Sequence, residues 1–292
     1  MKNLPKLILS LTMLTMSASP SWAKLNVVAS FSILGDMVSQ VAGDKADVTT
    51  IVGPDADAHL YQPNTGDAVA VVEADLVIVN GMGFETWSAT LIETSGTKAT
   101  IAVATDGITP LLVEGEVDPH AWNALTNGVI YVDNIEAALS KASPSDAATF
   151  KANADAYKAK LLALHERALA DIAKLPQDKR VVVTAHDAFG YLASAYGLTF
   201  LAPQGIDTEA EPSANELAEL ISFLNETGAG ALFVENISND NLIAQISRET
   251  GLKIGGRIYS DALSVKGSPA TSYLAMFTHN LELLTETLSA AQ

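Results

Sequence analysis

The stretch SPSDAATFKANADAYKAKLLALHERALADIAKLP, residues 143–176, decides the fold. Phe150, Ala154, Tyr157, Leu161, Leu164, Ala168, Ile172 and Leu175 recur every three or four residues, which draws one apolar stripe along a helix. Ser143 with Pro144 and Asp146 makes a start signal, and Pro176 makes a stop. The spacing predicts a single helix of about 30 residues, near 45 Å long at 1.5 Å per residue. Such a rod is long enough to act as a rigid spine between two domains, although the pattern alone also fits a surface helix of one domain.

Working outward, short apolar runs bounded by turn residues lie on both sides of it. Leu25–Ala29, Val48–Val52 and Leu76–Asn80 precede the helix, and Val181–Thr184, Leu198–Leu201, Ala231–Val234 and Gly256–Tyr259 follow it. Segments of helical character separate them. Ser213 and Glu216 form a capping box ahead of Leu217–Asn225, and Ser268-Pro269 opens a final helix through Leu288. This alternation predicts an α/β protein with mostly parallel sheets flanked by helices.

Residues 1–23 read as a secretory leader: Lys2 and Lys6, an apolar stretch from Leu7 to Met16, and small residues at Ser21 and Ala23 before an expected mature start near Lys24. The apolar stretch is too short for an ordinary membrane span. The chain contains no cysteine, so it offers no disulfide, no thiolate ligand and no residue for a lipid anchor. A free periplasmic protein of a double-membraned bacterium is the expectation. The net charge of −17 becomes more negative once the leader's two lysines are gone. Such a surface excludes nucleic acid and anionic membrane as partners and raises the local concentration of cations.

Three histidines each occupy a short polar turn after an apolar run: His59 in GPDADAHLYQP (53–63), His120 in DPHAW (118–122) and His186 in TAHDAFG (184–190). Asp261 has a similar setting in YSDA (259–262). Loops at the carboxyl ends of parallel strands converge on one crevice, and three imidazoles with one carboxylate suit Zn²⁺. The separations of 61, 66 and 75 residues match no local zinc motif, and a lone loop histidine is commonly just hydrogen-bonded to its surroundings. Asp57, Asp118 and Asp187 are the neighbouring carboxylates expected to orient the rings. His165 and His279 fall off their helices' apolar faces and read as solvated. Glu209 and Glu211, in the loop 204–213, read as cleft-mouth groups, alternative ligands or solvated carboxylates.

Several longer motifs accompany these turns: SFSILGDM (30–37), ADLVIVNG (74–81) and HDAFGY (186–191). With the His59 turn, DPHAW and the late Asp261, they make the chain resemble the zinc and manganese solute-binding proteins of bacterial ABC transporters, often called cluster A-I or cluster 9. The likeness covers nearly the whole mature chain. It implies two lobes, 24–142 and 177–292, joined by one rigid helix over 143–176, with metal held between them by His59 and His120 from the first lobe and His186 and Asp261 from the second. Manganese-dedicated relatives typically carry glutamate in place of His186, so the zinc branch is implied, with Mn²⁺ or dual-metal carriage as the alternative. Many zinc relatives carry a long histidine-rich loop where this chain has only Ile108–Val117.

The implied activity is capture of Zn²⁺ as cargo in the periplasm and delivery to an ABC permease, with only small lobe shifts; a monomer is the simplest form for docking on a permease, and a periplasmic metallochaperone is a candidate partner, neither being fixed by the sequence. Two rival readings stand beside it. A zinc hydrolase would use Asp261 or Glu235 as general base, but the sequence holds neither a His-Glu-x-x-His helix nor a Gly-x-Ser-x-Gly elbow. An adhesin or structural module would leave the histidines incidental.

Overall fold

The computed structural model describes residues 24–227 and 230–290; the leader expected over 1–23 lies outside the described residues. The first half of the chain runs β1 (Leu25–Phe31), α1 (Ser32–Ala42), β2 (Ala46–Val52), α2 (Thr65–Glu73), β3 (Leu76–Val79), α3 (Ser88–Ser95) and β4 (Thr100–Val103). Its strands form a parallel sheet in the order β2-β1-β3-β4. Every residue of β3 is buried, as expected for a parallel strand covered on both faces. A small antiparallel hairpin, β5 (Leu112–Val113) and β6 (Glu116–Val117), leads to α4 (Leu125–Ala142) and α5 (Ala147–Ile172).

The second half runs β7 (Val181–Val183), α6 (Gly190–Tyr196), β8 (Thr199–Leu201), α7 (Ala214–Thr227), β9 (Ala231–Glu235), α8 (Asn241–Thr250), β10 (Ile254–Ile258) and α9 (Tyr273–Ala290). A second parallel sheet results, ordered β10-β9-β7-β8. The capping box before α7 is formed: Glu216 N–H donates to Ser213 Oγ at 3.2 Å, and Ser213 N–H to Glu216 Oε2 at 2.7 Å.

The spine is α5, and its buried face consists of Phe150, Ala154, Tyr157, Leu161, Leu164, Ala168 and Ile172. It has 26 residues, about 39 Å, and is shorter than expected because Ser143 and Asp146 bond to each other in a turn ahead of it (Ser143 Oγ to Asp146 Oδ2, 2.7 Å). Its first half is tied to α1 and α4 by Asn153 Nδ2 to Val41 O at 3.0 Å and Lys158 to Asp133 at 2.6 Å. Its second half meets α6 and α9 through His165 to Tyr196 at 3.0 Å and Arg167 to Glu282 at 2.8 Å. His165 is therefore half-buried and partnered rather than solvated. His279 is also partnered, its Nε2 lying 3.0 Å from Arg257 O.

The final helix also starts later than Pro269. Residues 264–270 close a loop first, with Ser264 N–H donating to Ala270 O at 2.8 Å and Ala270 N–H to Ser264 Oγ at 3.0 Å. One apolar cluster runs through the molecule, joining Val28 and Leu76 of the first sheet to Leu161 of the spine and to Val182, Phe233 and Leu284 of the second half. A smaller cluster of Val183, Leu232, Val234, Ile243 and Ile246 belongs to the second sheet. Because the two halves share a core, wide separation of the sheets would expose buried apolar surface. No helix among the described residues is long and apolar enough to cross a membrane.

Candidate metal centre

Each of the four turns lies beyond the end of a strand, where the loops of the two sheets face one another. After β2 the chain bends at Asp55, whose φ of 55° is left-handed, and fastens to the other half. Asp55 N–H donates to Leu263 O at 2.8 Å, while its carboxylate accepts from Val265 N–H at 3.1 Å and Asn236 Nδ2 at 3.0 Å. Two residues on, Asp57 Oδ1 accepts from the backbone of His59 at 2.8 Å and of Leu60 at 3.4 Å. The His59 ring then packs edge-on to Phe84, with centroids 4.8 Å apart.

The His120 turn is held from behind. Asn80, just past β3, donates through Nδ2 to Pro119 O at 3.0 Å and is itself bonded by the Tyr131 hydroxyl. Asp118 Oδ1 accepts from both His120 N–H at 2.9 Å and His120 Nδ1 at 2.8 Å. Trp122 reaches across to the second half, its indole N–H donating to Ser260 O at 2.9 Å. His186 has the equivalent support from Glu235 at the end of β9. Glu235 Oε1 accepts from Ala185 N–H at 2.9 Å and His186 N–H at 3.0 Å, and Oε2 lies 2.7 Å from His186 Nδ1. Carboxylates at Nδ1 favour the tautomer that leaves Nε2 bare for a metal.

These supports converge the four donors. Asp261 Oδ2 lies 3.2 Å from His59 Nε2, 3.6 Å from His120 Nε2 and 3.1 Å from His186 Nε2. One donor atom from each residue lies within 4.8 Å of all the others. His59 is 5 % exposed and the other three are 0 % exposed. Burial disfavours charge on His120, but Asp261 and Asp118 outweigh it and push the imidazolium up to about 9. For His186 burial is likewise overcome, by Glu235 and Asp261, and its value stands well above the usual one. Burial would raise the Asp261 carboxyl, yet His120 and His186 hold it well below the usual range. The metal-free site thus keeps its buried anion company with protons on imidazoles, and an entering divalent cation displaces them. Asp261 Oδ1 is buried without a hydrogen-bond partner among the described residues, which leaves an oxygen for a cation to satisfy.

All four sequence-predicted candidates meet at one point; their expected orienting carboxylates do not all follow. Asp118 holds the His120 ring, but Asp57 bonds to backbone instead of to an imidazole. Asp187 is engaged through its own N–H with Gly205 O at 3.0 Å, and Glu235, 49 residues after His186, takes the place expected of it. Glu235 sits inside the apolar run ALFVE, where an acid ending a buried strand was the available signal. Glu209 and Glu211 are exposed and stand outside the four-donor cluster.

A family model described as "Zinc-uptake complex component A periplasmic" matches residues 27–287. The metal ABC transporter substrate-binding lipoprotein ScbA of Streptococcus cristatus is 34% identical over 278 residues, covering 91% of this chain and 90% of that protein. The manganese-binding lipoprotein MntA of Bacillus subtilis is 34% identical over 275 residues, with coverages of 91% and 90%. Among solved structures, the periplasmic zinc-binding protein TroA from Treponema pallidum superposes with a TM-score of 0.87 at 29% identity, covering 91% of this chain and 99% of that one. The relatives are transport proteins, not enzymes, which removes the hydrolase reading. Two of them are named lipoproteins, a difference from the unanchored protein expected here.

Proposed function

The chain belongs to the periplasmic zinc-uptake component A family, the metal-binding solute-binding proteins of ABC transporters, and from that premise we propose that it carries Zn²⁺ on His59, His120, His186 and Asp261 to its membrane permease. The observation that carries this reading is the meeting of four donors, three of them fully buried, within 4.8 Å. Three imidazoles and one carboxylate are a donor set on which Zn²⁺ outcompetes Mn²⁺ by the Irving–Williams order. Asp118 and Glu235 would hold the rings as ligands, and capture would release the protons that His120 and His186 carry.

A second cargo, Mn²⁺, is favoured by one observation: the unpartnered Asp261 Oδ1. If both Asp261 oxygens engage, the site gains oxygen character and coordination number, which suits manganese better. Among the relatives, MntA of Bacillus subtilis is named for manganese and TroA for zinc. The carrier acts in the periplasm, as the family description has it, as a monomer open to loading by a chaperone.

The test is a competition titration of the metal-stripped chain with Zn²⁺ and Mn²⁺, alongside His59→Ala, His186→Ala and Asp261→Ala. One tight zinc equivalent, weakened by each substitution and little displaced by manganese, is expected. Comparable manganese binding would replace the reading with a dual-metal carrier, and no tight site would overturn it.

A further inference from the structure

The loop 204–213 joins two of the ligands from outside the metal centre. At its start, Gln204 forms a parallel bridge with His186, with Gln204 N–H donating to Ala185 O at 3.2 Å and Asp187 N–H donating to Gly205 O at 3.0 Å. Four residues later, the Thr208 hydroxyl donates to Asp57 Oδ2 at 2.6 Å. The other oxygen of Asp57 holds the backbone N–H of His59. A single carboxylate thus ties the turn carrying one ligand to a loop rooted at another, and the two belong to opposite sheets.

The exposures add a direction. His120, His186 and Asp261 are 0 % exposed, and His59 is 5 % exposed, so His59 is the one of the four that reaches the surface and its turn is the side of the site nearest solvent. The base of that turn is clamped separately, through Asp55 to Asn236, Leu263 and Val265. Its tip has only the Asp57–Thr208 bond to the second half among the hydrogen bonds described for Asp57 and His59 backbone. No residue of 204–213 contributes to either apolar cluster. A cavity of about 360 Å³ opens beside the bond, lined by Asp57, Leu60, Thr208, Glu211 and Asn239 among others. Solvent entering there can take up both partners when the bond breaks; on the loop's side no apolar core has to be unpacked, whereas the His59 turn stays rooted by buried Ala58, whose carbonyl accepts from Trp87 Nε1–H at 2.9 Å.

We propose that the Thr208–Asp57 hydrogen bond is a latch that holds the His59 turn closed over the bound cation and sets the rate at which the cation leaves. The proposal rests on the metal-carrier reading above and assigns Thr208 as a positioning residue that never touches the metal. A short hydroxyl-to-carboxylate bond is strong enough to matter for a rate, and its loss acts on release because the latch exists only when the turn is closed. On docking, a permease that displaced the loop 204–213 would open the site without parting the two sheets.

The experiment loads wild type, Thr208→Val, Thr208→Ala and Thr208→Ser with one equivalent of Zn²⁺ and mixes each with excess chelator in a stopped-flow instrument. Release from Thr208→Val and Thr208→Ala should be about tenfold faster, equivalent to about 1.4 kcal/mol. Thr208→Ser should restore the wild-type rate, and the metal-free melting temperatures of all four should lie within about 4 °C of one another. Valine and alanine variants that release at the wild-type rate would overturn the latch and leave the carrier intact. A serine variant as fast as alanine would also overturn it, because shape rather than the hydroxyl would then be responsible. A wild-type chain that retains no Zn²⁺ would overturn the carrier reading itself, and the latch with it.

Discussion

The turns of His59 and His120 issue from the same half of the molecule, yet they are held by different means. The His120 ring is gripped at Nδ1 by Asp118, its preceding carbonyl by Asn80, and the Trp122 that follows it is bonded to Ser260 beside Asp261. His59 is steadied through its backbone, by Asp57, and through a clamp at Asp55. The difference separates two tasks. Buried, mutually bonded networks are costly to disturb, so His120, His186 and Asp261 form a standing cup of three donors. His59, the one of the four with any exposed surface, closes that cup from the solvent side, and the proposed latch assigns exchange to it.

Substituting the ligands themselves gives the largest effect and the sharpest test of this contrast. Both His59→Ala and His120→Ala should abolish tight binding in a competition titration. His120→Ala should damage the metal-free fold more, by roughly 3–5 kcal/mol, because it strips buried Asp118 of its ring partner as well as removing a neighbour of Asp261, which His59→Ala also does. Metal-free melting curves that fall equally for the two variants would erase the distinction between cup and closure.

pH gives the next largest effect. The folded His120 value of about 9 stands above its ordinary 6.5, so its protonation stabilises the metal-free fold fully below pH 6.5, and that contribution disappears as pH rises through 9. The loss should be on the order of a few kcal/mol and visible in urea midpoints of the metal-free protein. Metal affinity should rise over the same window as protons stop competing. Asp118→Asn should flatten the stability change, whereas Asp57→Asn should leave it. A midpoint that climbs from pH 6.5 to 9 would contradict the assignment.

Smaller again is removal of the carboxylates that orient rings. Asp118→Asn and Glu235→Gln should each weaken Zn²⁺ binding ten- to hundredfold, the usual effect of losing a carboxylate behind a ligating histidine. Asp57→Asn, which touches no ring, should weaken it less. If Asp57→Asn matched the other two, the His59 turn would be as much a part of the rigid cup as the His120 turn.

What was readable in the sequence follows the same division between local and distant causes. The spine's stripe and the strands' apolar runs are local patterns, and the four candidate ligands are visible as polar turns after such runs. β4 escaped because Thr100 and Ile101 are exposed at the sheet edge, so no buried run marks it. Asp118 was found because it lies two residues from the ring it holds. Glu235 was missed as the support of His186 because 49 residues separate them and nothing in ALFVE announces which ring it will meet. Asp187, adjacent in sequence, was expected in that role, but its backbone is drawn into pairing with Gly205. The link from Thr208 to Asp57 spans 151 residues and is a property of the fold alone.

Trp122 offers the smallest effect and the finest resolution of the contrast. Its indole N–H bonds to Ser260 O at 2.9 Å across 138 residues of sequence, and its ring lies 5.3 Å from that of His120 and 4.8 Å from that of Phe84. Trp122→Phe keeps an aromatic ring and removes the donor, leaving a carbonyl beside Asp261 without its partner. Before the cation arrives, that bond holds the Asp261 turn in register with His120; afterwards the cation does so directly. Affinity should therefore fall by only about threefold to tenfold, up to about 1.4 kcal/mol, in the same competition titration, while the metal-free protein melts earlier. A variant that melts earlier yet binds as tightly as wild type would make Trp122 a packing residue only, and the register between His120 and Asp261 would then come from the shared core rather than from the strut.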